Sequence, residues 1–295
     1  MPNRSLLVPS LIAMLCLIWG STWWAIRLCL CLEDRQPPLS SAAMRFLVAG
    51  LVMAAVVPLL RRVDRAPPPP TWLWLVCGAT NFAGSYGVLY VAEQTVPSGV
   101  AAVLWAIFPL LMAGSGVFVL GERMRVVQGL GFLVSFLGIV VVFAGDLGKS
   151  ENGALGAALL LLLSPLVSAF GTTLVKKYGQ STSSVLLNRN GMLFGALPLV
   201  IGAFAFESPL QVAWTLKGTL ANLYLAVFGT ALTFGTYFWL LQRVSASRLS
   251  LISYVTPVLA VVLGVVVGDG ELSLALAIGT LLVVMGIVLV VQKRQ

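Results

Sequence analysis

Polar and aromatic side chains recur inside otherwise apolar stretches of this sequence. Asn81 lies nine residues after Trp72, or about 14 Å along a helix, in a long stretch without charge. An amide in apolar surroundings needs a hydrogen-bonding partner, and Ser85, one helical turn later, offers a hydroxyl. Tyr86 and Tyr90, spaced i to i+4, add two rings and two more hydroxyls on one helix face.

The same kinds of side chain elsewhere complete a candidate binding wall. Because aromatic faces attract cations, such a set is typical of a site for an amphipathic or cationic solute. The additional candidates are Trp19, Trp23, Trp105, Thr230, Thr233, Phe234, Tyr237, Tyr254 and Thr256. Each aromatic ring also has an alternative role, in a lipid-facing belt or in packing between helices.

Three charged residues lie inside or at the ends of apolar stretches. Arg45 and Arg189 lie a few residues inside two of them, where a charge is costly and usually functional or paired. They are candidates for gating or for binding a carboxylate; the alternatives are snorkelling to the near surface and pairing with a loop acid. Glu93 is the nearest candidate for proton coupling, since the chain has no histidine. Its alternative is a solvated loop acid that caps the following turn.

Prolines mark two further candidate positions. Pro109 and Pro257 lie about midway along apolar stretches, where proline removes a backbone donor and frees a carbonyl. Each predicts a broken turn that acts as a hinge or offers polar backbone to a solute. A simple structural kink is the open alternative. The prolines within 66–70 predict a stiff, extended connector instead.

Metal and cofactor chemistry find no support in the sequence. The four cysteines, Cys16, Cys29, Cys31 and Cys77, have no metal-ligand spacing, and histidine is absent. The acidic residues are scattered, whereas membrane-embedded enzymes usually cluster them. We therefore expect no metal and no cofactor, and an enzyme is disfavoured.

The composition is that of a membrane protein. Of 295 residues, 59% are hydrophobic and only 9% charged, against roughly a quarter charged in soluble domains. Uncharged stretches of about 20 residues predict ten helices that cross the hydrocarbon. They are expected at about 6–27, 40–60, 72–93, 98–120, 126–144, 153–175, 184–206, 218–241, 247–268 and 272–291. The first is interpreted as a helix and not as a cleaved leader, because no small-residue cleavage site follows it.

Basic residues are concentrated on one side of these helices. The side that holds the two termini carries Arg4, Arg61, Arg62, Arg65, Arg123, Arg125, Lys176, Lys177, Arg243, Arg248, Lys293 and Arg294. The other side carries Arg27, Arg35, Lys149 and Lys217. Because Lys and Arg near span ends are retained in the cytoplasm, both termini are predicted to be cytoplasmic. This distribution accounts for the net charge of +8 without a nucleic-acid partner.

The second half of the chain repeats the first at an offset of 148 residues. The offset pairs Pro109 with Pro257, Gly131 with Gly279 and Gly138 with Gly286. The two units are residues 1–147 and 148–295. Because each contains five spans, an odd number, the second must cross the membrane in the opposite direction, which predicts an inverted repeat with a site between the halves. Glycines seven residues apart share a helix face and predict close helix packing.

Local motifs resemble the EamA family of the drug/metabolite transporter superfamily. They are Trp19-Gly20-Ser21-Thr22-Trp23, Arg45-Phe46, the run from Ala92 to Gly99 that leads to Pro109, and Gly121-Glu122-Arg123. The resemblance covers nearly the whole chain. It implies an all-α integral membrane protein of ten helices, with spans 1–4 and 6–9 around a central cavity and spans 5 and 10 at its edge. It also implies export of amino acids or other small metabolites, as in related aromatic amino acid exporters.

The leading hypothesis is a secondary transporter of the bacterial inner membrane that exports amino acids or related metabolites by alternating access between the two halves. Export of cationic or aromatic xenobiotics is the alternative, and a membrane-embedded lipid-modifying enzyme is a remote one. Transport is driven either by the substrate gradient or by protons, through Glu93 or through the substrate itself. The expected partners are a small-molecule substrate and the lipid bilayer. The oligomeric state stays open, and a monomer is compatible with the sequence.

Overall fold

The computed structural model describes residues 4–31, 35–62, 64–120, 126–147, 154–241 and 246–291. Within these ranges the regular secondary structure is helical throughout and contains no strand, so the predicted all-α class is confirmed. Ten long helical stretches follow one another. In chain order they are α1 (Arg4–Cys31), α2 (Pro38–Leu60), α3 (Thr71–Cys77, continued by Gly78–Gly84 and Ser85–Glu93), α4 (Ser98–Trp105 and Phe108–Leu120), α5 (Val126–Val142, continued by Phe143–Leu147), α6 (Ala154–Tyr178), α7 (Ser184–Phe206), α8 (Leu216–Ala226, continued by Val227–Leu232 and Thr233–Leu241), α9 (Ala246–Val266) and α10 (Leu274–Val291).

Among the described helices, α1 to α8 are long and apolar enough to cross a membrane. The apolar parts of α9 and α10 are shorter, at Val255–Val266 and Leu274–Leu289. Large apolar side chains such as Phe118, Leu133 and Ile201 are exposed, which fits a surface in contact with lipid. The helix bounds agree with the predicted spans to within a few residues.

The first helix is longer than the sequence predicts. The charge at Arg27 suggests an end near residue 27, whereas α1 continues to Cys31. Arg27 therefore lies within the helix and not in the loop that follows it. The reason is that this charge is paired inside the bundle, as described below.

Three of the described helices contain π-helical segments, and the segments of α3 and α8 occupy corresponding positions in the two halves. These two segments are Gly78–Gly84 in α3 and Val227–Leu232 in α8, and their bounds lie 149 and 148 residues apart. A π-helical turn widens the backbone and is common at functional sites. The first segment packs against α7, where a Cβ on Gly78 would lie 2.7 Å from the carbonyl oxygen of Gly191. The two backbones can approach this closely only because Gly78 has no side chain.

The prolines expected to break helices behave differently from each other. The helix α4 is interrupted at Ala106 and Ile107 and restarts at Phe108, so Pro109 lies in a first turn, where a missing N–H costs little. The helix α9 continues through Pro257 without a break. The structure thus has a broken turn before Pro109 and an unbroken helix at Pro257. The connector 64–70 is non-helical, as predicted.

Glycines pack α5 directly against α10. A Cβ on Gly138 would lie 2.8 Å from the carbonyl oxygen of Gly279, and a Cβ on Gly279 would lie 2.8 Å from that of Gly138. Seven residues further along α10, a Cβ on Gly286 would lie 2.5 Å from the carbonyl oxygen of Gly131. Because later residues of one helix meet earlier residues of the other, the two helices are antiparallel. The packing role predicted for these glycines is confirmed.

Candidate functional site

Arg45 is a buried cation that joins the two halves of the chain. Its side chain is 1% exposed and lies about 10 Å along α2 from Pro38. Nε donates to Oγ1 of Thr230 at 2.8 Å, and Nη1 donates to the hydroxyl of Tyr90 at 3.2 Å. Nη2 donates to the carbonyl oxygen of Gly229 at 3.4 Å. Tyr90 belongs to the first half, whereas Gly229 and Thr230 belong to the π-helical segment of α8 in the second half.

The charge of Arg45 is surrounded by rings and not by acids. Among the described carboxylates, none forms an ion pair with it. Its guanidinium carbon lies 4.7 Å from the ring centroid of Tyr86 and 5.5 Å from that of Phe46. Ring faces stabilise a cation in part, but the charge stays unpaired in a buried place. Snorkelling is therefore wrong for Arg45, and so is pairing with a loop acid in the described part of the chain.

Aromatic rings continue from Phe46 across the bundle. The ring centroids of Phe46 and Phe82 are 5.4 Å apart, as are those of Phe82 and Phe234. Phe234 lies 5.8 Å from Trp19, which lies 5.5 Å from Tyr237. This series of rings, which we call the aromatic line, connects α2, α3, α8 and α1. The structure brings the predicted rings of Trp19, Phe234 and Tyr237 together, while Phe46 and Phe82 were missed because phenylalanine recurs throughout the apolar spans.

A second aromatic cluster lies between α1 and α4. Trp23 is 8% exposed and meets Trp105 edge to face, with the ring centroids 6.2 Å apart. Trp105 stacks on Phe108 across the break in α4, and its indole Nε1 donates to Oγ of Ser164 at 3.0 Å. That hydroxyl also lies 2.9 Å from the hydroxyl of Ser85. The predicted residues Trp23, Trp105 and Ser85 are therefore held together and attached to α6.

Asn81 finds its partners on α6. Its Oδ1 accepts from Oγ of Ser168 and from Oγ1 of Thr172, both at 2.9 Å. Its Nδ2 lies 3.7 Å from Sγ of Cys77. These bonds satisfy a buried amide in the π-helical segment of α3 and tie that segment to α6. A contact between Asn81 and a solute stays a prediction.

The predicted hydroxyl residues of the second half differ in their surroundings. The hydroxyl of Thr233 is buried and lies 3.4 Å from the carbonyl oxygen of Thr230. Oγ1 of Thr256 is buried and has no hydrogen-bond partner among the described residues. The side chain of Tyr254 lies outside the described part of the chain. Thr256 therefore has unused hydrogen-bonding capacity toward the described residues.

Arg189 lies in surroundings unlike those of Arg45. It is half-buried in α7, and its Nε and Nη2 both donate to Oδ1 of Asn190, at 2.9 and 2.8 Å. The amide of Asn188 beside it is buried without a partner among the described residues. The two arginines are therefore not equivalent, and Arg45 is the stronger candidate for binding a carboxylate.

Glu93 is buried at the end of α3. Its side chain is 0% exposed, and neither carboxylate oxygen has a hydrogen-bond partner among the described residues. The alternative of a solvated loop acid is therefore wrong. The turn is held against α1, because Nη1 of Arg27 donates to the backbone carbonyl oxygens of Glu93 and Gln94 at 2.7 and 3.1 Å.

Arg27 and Asp269 form an ion pair that sequence reasoning missed. Nε of Arg27 donates to Oδ1 of Asp269 at 2.8 Å, and Oδ2 of Asp269 accepts from the backbone N–H of Ser98 at 2.8 Å. The pair joins α1, the start of α4 and the turn after α9. These two residues are 242 positions apart, and both were assigned to loops. The one available signal was an arginine with apolar neighbours on both sides.

A cavity of about 210 Å³ lies near this ion pair, between α4, α9 and α10. Its lining is mostly apolar and includes Pro97, Val100, Val261, Gly264 and Leu276. No residue of the predicted binding wall lines it. In the part of the chain that the structure describes, no three His, Cys, Asp or Glu side chains lie together as a candidate metal site.

Comparison with known proteins decides the family. The profile of the EamA-like transporter family matches this chain twice, at residues 7–144 and 155–292. The chain belongs to the EamA-like transporter family. The uncharacterised inner membrane transporter YedA of Escherichia coli is 33% identical, over 87% of this chain and 81% of its own length. The uncharacterised transporter YvbV of Bacillus subtilis is 29% identical, over 97% and 92%.

A solved crystal structure has the fold of this EamA-like chain. It is 23% identical in sequence and covers 96% of this chain, which in turn covers 95% of it, with a TM-score of 0.69. The family and its named relatives make this EamA-like protein a membrane transporter and not an enzyme. The name of YedA and the apolar helices agree with a multi-pass protein of the inner membrane.

Proposed function

We propose that this EamA-like protein exports amino acids or related small carboxylates by alternating access between two inverted five-helix halves. The halves are residues 1–147 and 148–295, and both termini face the cytoplasm. The substrate carboxylate binds Arg45, and the aromatic line receives its apolar part. On this orientation, the end of the bundle that holds Glu93 and Asp269 faces outside.

The observation that carries this proposal is the buried guanidinium of Arg45, which forms no ion pair with any described carboxylate. A guanidinium has five N–H donors, and three of them bond to Thr230, Tyr90 and Gly229. The other two N–H groups, one on Nη1 and one on Nη2, lie on a guanidinium that also contacts the ring of Tyr86. A guanidinium binds a carboxylate in bidentate fashion when two parallel N–H groups are available to it. Binding an anion there also compensates the charge that the protein leaves unpaired.

The position of Arg45 supports a mechanism that involves both halves. A solute on its guanidinium lies between α2 and α3 of the first half and the π-helical segment of α8 in the second half. Three observations favour inverted halves: the family profile matches twice, π-helical segments recur about 148 residues apart, and α5 and α10 pack antiparallel through paired glycines. Inverted repeats of this kind commonly place the substrate site between them.

Export of cationic or aromatic xenobiotics is the competing function. The aromatic line favours it, since stacked rings accept flat and cationic solutes. Arg45 argues against cations, because a fixed positive charge within the site repels them. An aromatic amino acid satisfies both features, since its carboxylate pairs with the arginine and its ring with the line.

A competition screen in reconstituted vesicles tests the substrate class. Pooled amino acids and cationic dyes are each added separately as competitors of solute uptake into the vesicles. The screen is run first with the wild type and then with Arg45→Gln. The expected result is that amino acids compete in the wild type and lose that effect in Arg45→Gln, while any uptake of cationic dyes is spared. Arg189→Gln is the matched control, because this arginine is already bound to Asn190. Equal loss for both solute classes in Arg45→Gln contradicts a carboxylate-binding role.

A further inference from the structure

Two carboxylates and one arginine meet where α3 ends. Arg27 forms its ion pair with Asp269 at 2.8 Å. The same guanidinium donates from Nη1 to the backbone carbonyl oxygen of Glu93 at 2.7 Å. Arg27 thus contacts the backbone of Glu93, whereas the two carboxylate oxygens of Glu93 have no hydrogen-bond partner among the described residues. Arg27 therefore lies beside both acids, bonded to the carboxylate of Asp269 and to the backbone of Glu93.

The burial of Glu93 determines which protonation state of its carboxyl group these surroundings favour. A carboxylate without hydrogen bonds and without contact with water is costly to keep ionised, whereas the neutral carboxyl tolerates such surroundings. The groups that act on it are not all of one sign. They are Arg27 of α1, Arg45 of α2 and Asp269 of the turn after α9. Glu93 in turn acts on Cys29 and Cys31 of α1 and on Tyr86 and Tyr90 of its own helix α3. The pairing of Arg27 with Asp269 leaves Glu93 without a direct counter-ion, which is the arrangement expected for the protonated form.

We infer that Glu93 is a proton-binding site whose occupancy decides whether Arg27 pairs with Asp269 or with Glu93, and thereby whether this end of the transporter is closed or open. With the proton bound, Arg27 stays on Asp269, and α1 is tied to the turn after α9, as the structure shows. When the O–H bond of Glu93 breaks and the proton leaves to water, the buried carboxylate needs a counter-ion, and Arg27 moves to it. Asp269 then stays ionised, and as this end opens water replaces both Arg27 and the N–H of Ser98 as its hydrogen-bond donors.

The switch gives proton-coupled export when combined with the proposed function, on which its role in transport rests. Outside water donates a proton to Glu93 after the substrate has left, and Arg27 returns to Asp269 and closes this end. The proton is released to the inside once the other end has opened and substrate has bound. One proton thus enters through Glu93 for each substrate that leaves. No oxidant, reductant or further reactant is required.

A distance measurement tests the switch without any substrate. Nitroxide labels on cysteines introduced at Thr95 and Leu272, both exposed, report the separation of the turns after α3 and after α9. Cys31 is exchanged for serine because it is exposed, while Cys16, Cys29 and Cys77 are buried. In lipid vesicles the otherwise unchanged chain is expected to gain a population with a longer distance as the pH is raised. Glu93→Gln is expected to keep the short distance at every pH, and Asp269→Asn to show the longer one at every pH.

The control and the contradicting results are equally specific. Glu271→Gln removes an exposed acid of the same turn and is expected to titrate like the unchanged chain. If Glu93→Gln opens with the same pH dependence as the unchanged chain, the inference is wrong.

The infrared pH-difference spectrum of the wild type provides a second measurement that needs no folded variant. A protonated-carboxyl band that disappears as the long distance appears is expected, and opening without loss of such a band also contradicts the inference.

Transport assays separate this inference from the proposed function. If no amino acid competes in the vesicle screen but the labels still report a pH-dependent opening that requires Glu93, the substrate assignment fails and the switch stands. The converse result is that amino acids compete in a way that depends on Arg45, but vesicles with Glu93→Gln still use a proton gradient to accumulate them. The switch then fails and the substrate assignment stands. The expected result is that Glu93→Gln loses gradient-driven accumulation at least tenfold and retains substrate exchange.

Discussion

Asp64 and Glu207 occupy reciprocal positions at the two ends of the α2–α7 pair. Glu207, directly after α7, accepts from the backbone N–H groups of Leu39 and Ser40 at the start of α2, at 2.7 and 2.8 Å. Asp64, after the end of α2, accepts from the hydroxyl of Ser183 at 2.6 Å, just before α7. Each carboxylate therefore serves the first turn of the other helix. An anion at a helix N-terminus satisfies free N–H groups and complements the helix dipole.

Removing either cap should lower the stability of the folded protein. Glu207→Gln is expected to cost about 1–2 kcal/mol, since a neutral amide replaces a charge that accepts several bonds at a helix start. Asp64→Asn should cost less, because two of its three bonds, from the N–H groups of Ala66 and Val185, are long at 3.3 Å. Thermal unfolding of the protein in detergent measures both. Glu271→Gln is the control, and an equal loss there contradicts the capping account.

Adding a methyl group at Gly138 should disrupt the contact between α5 and α10. A Cβ there would lie 2.8 Å from the carbonyl oxygen of Gly279, which is backbone and cannot move aside easily. Gly138→Ala is expected to destabilise by about 1–3 kcal/mol, the usual cost of overpacking. Gly129→Ala on the same helix meets nothing within 4 Å, and there alanine should be neutral or mildly stabilising. Thermal unfolding distinguishes the two, and similar melting temperatures for both variants contradict the packing role.

The hydroxyl of Ser164 should couple energetically to Trp105. It accepts the indole N–H at 3.0 Å and lies 2.9 Å from the hydroxyl of Ser85. A double-mutant cycle of Ser164→Ala with Trp105→Phe isolates the pair, and we expect a coupling of about 0.5–1.5 kcal/mol, as for hydrogen bonds between membrane helices. Ser164→Ala combined with Gly129→Ala should be additive. Additivity in the first cycle means that this bond contributes nothing to stability.

Thr230 should help to orient Arg45 for substrate. Its Oγ1 accepts from Nε of Arg45 at 2.8 Å and donates to the carbonyl oxygen of Leu225. Thr230→Val keeps the shape but removes the acceptor, so we expect a several-fold higher KM for a carboxylate substrate with little change in kcat. Thr233→Val is the matched control, since its hydroxyl makes one long contact within its own helix. If both variants change KM equally, the bond to Arg45 does not position the guanidinium.

Much of the fold could be predicted from the sequence, because the bilayer sets simple limits on helices. Charges and prolines delimit the spans, since a helix must cross about 30 Å without exposing charge to lipid. The glycines at 131, 138, 279 and 286 predict close packing, because small residues are what let helices approach in lipid. Arg45 could also be singled out, as a charge within a span is costly enough to be informative.

The partners of these residues could not be predicted, and only the tertiary structure decided them. Arg45 meets Thr230 across 185 positions, and Arg27 meets Asp269 across 242. These contacts depend on how each helix is rotated about its own axis. In water an apolar stripe indicates that rotation, but a helix that is apolar all round carries no such signal. The sequence by itself thus determined where the helices run and which groups are costly to bury. Packing decided that Arg27 pairs with Asp269 and that the buried carboxylate of Glu93 has no partner among the described residues.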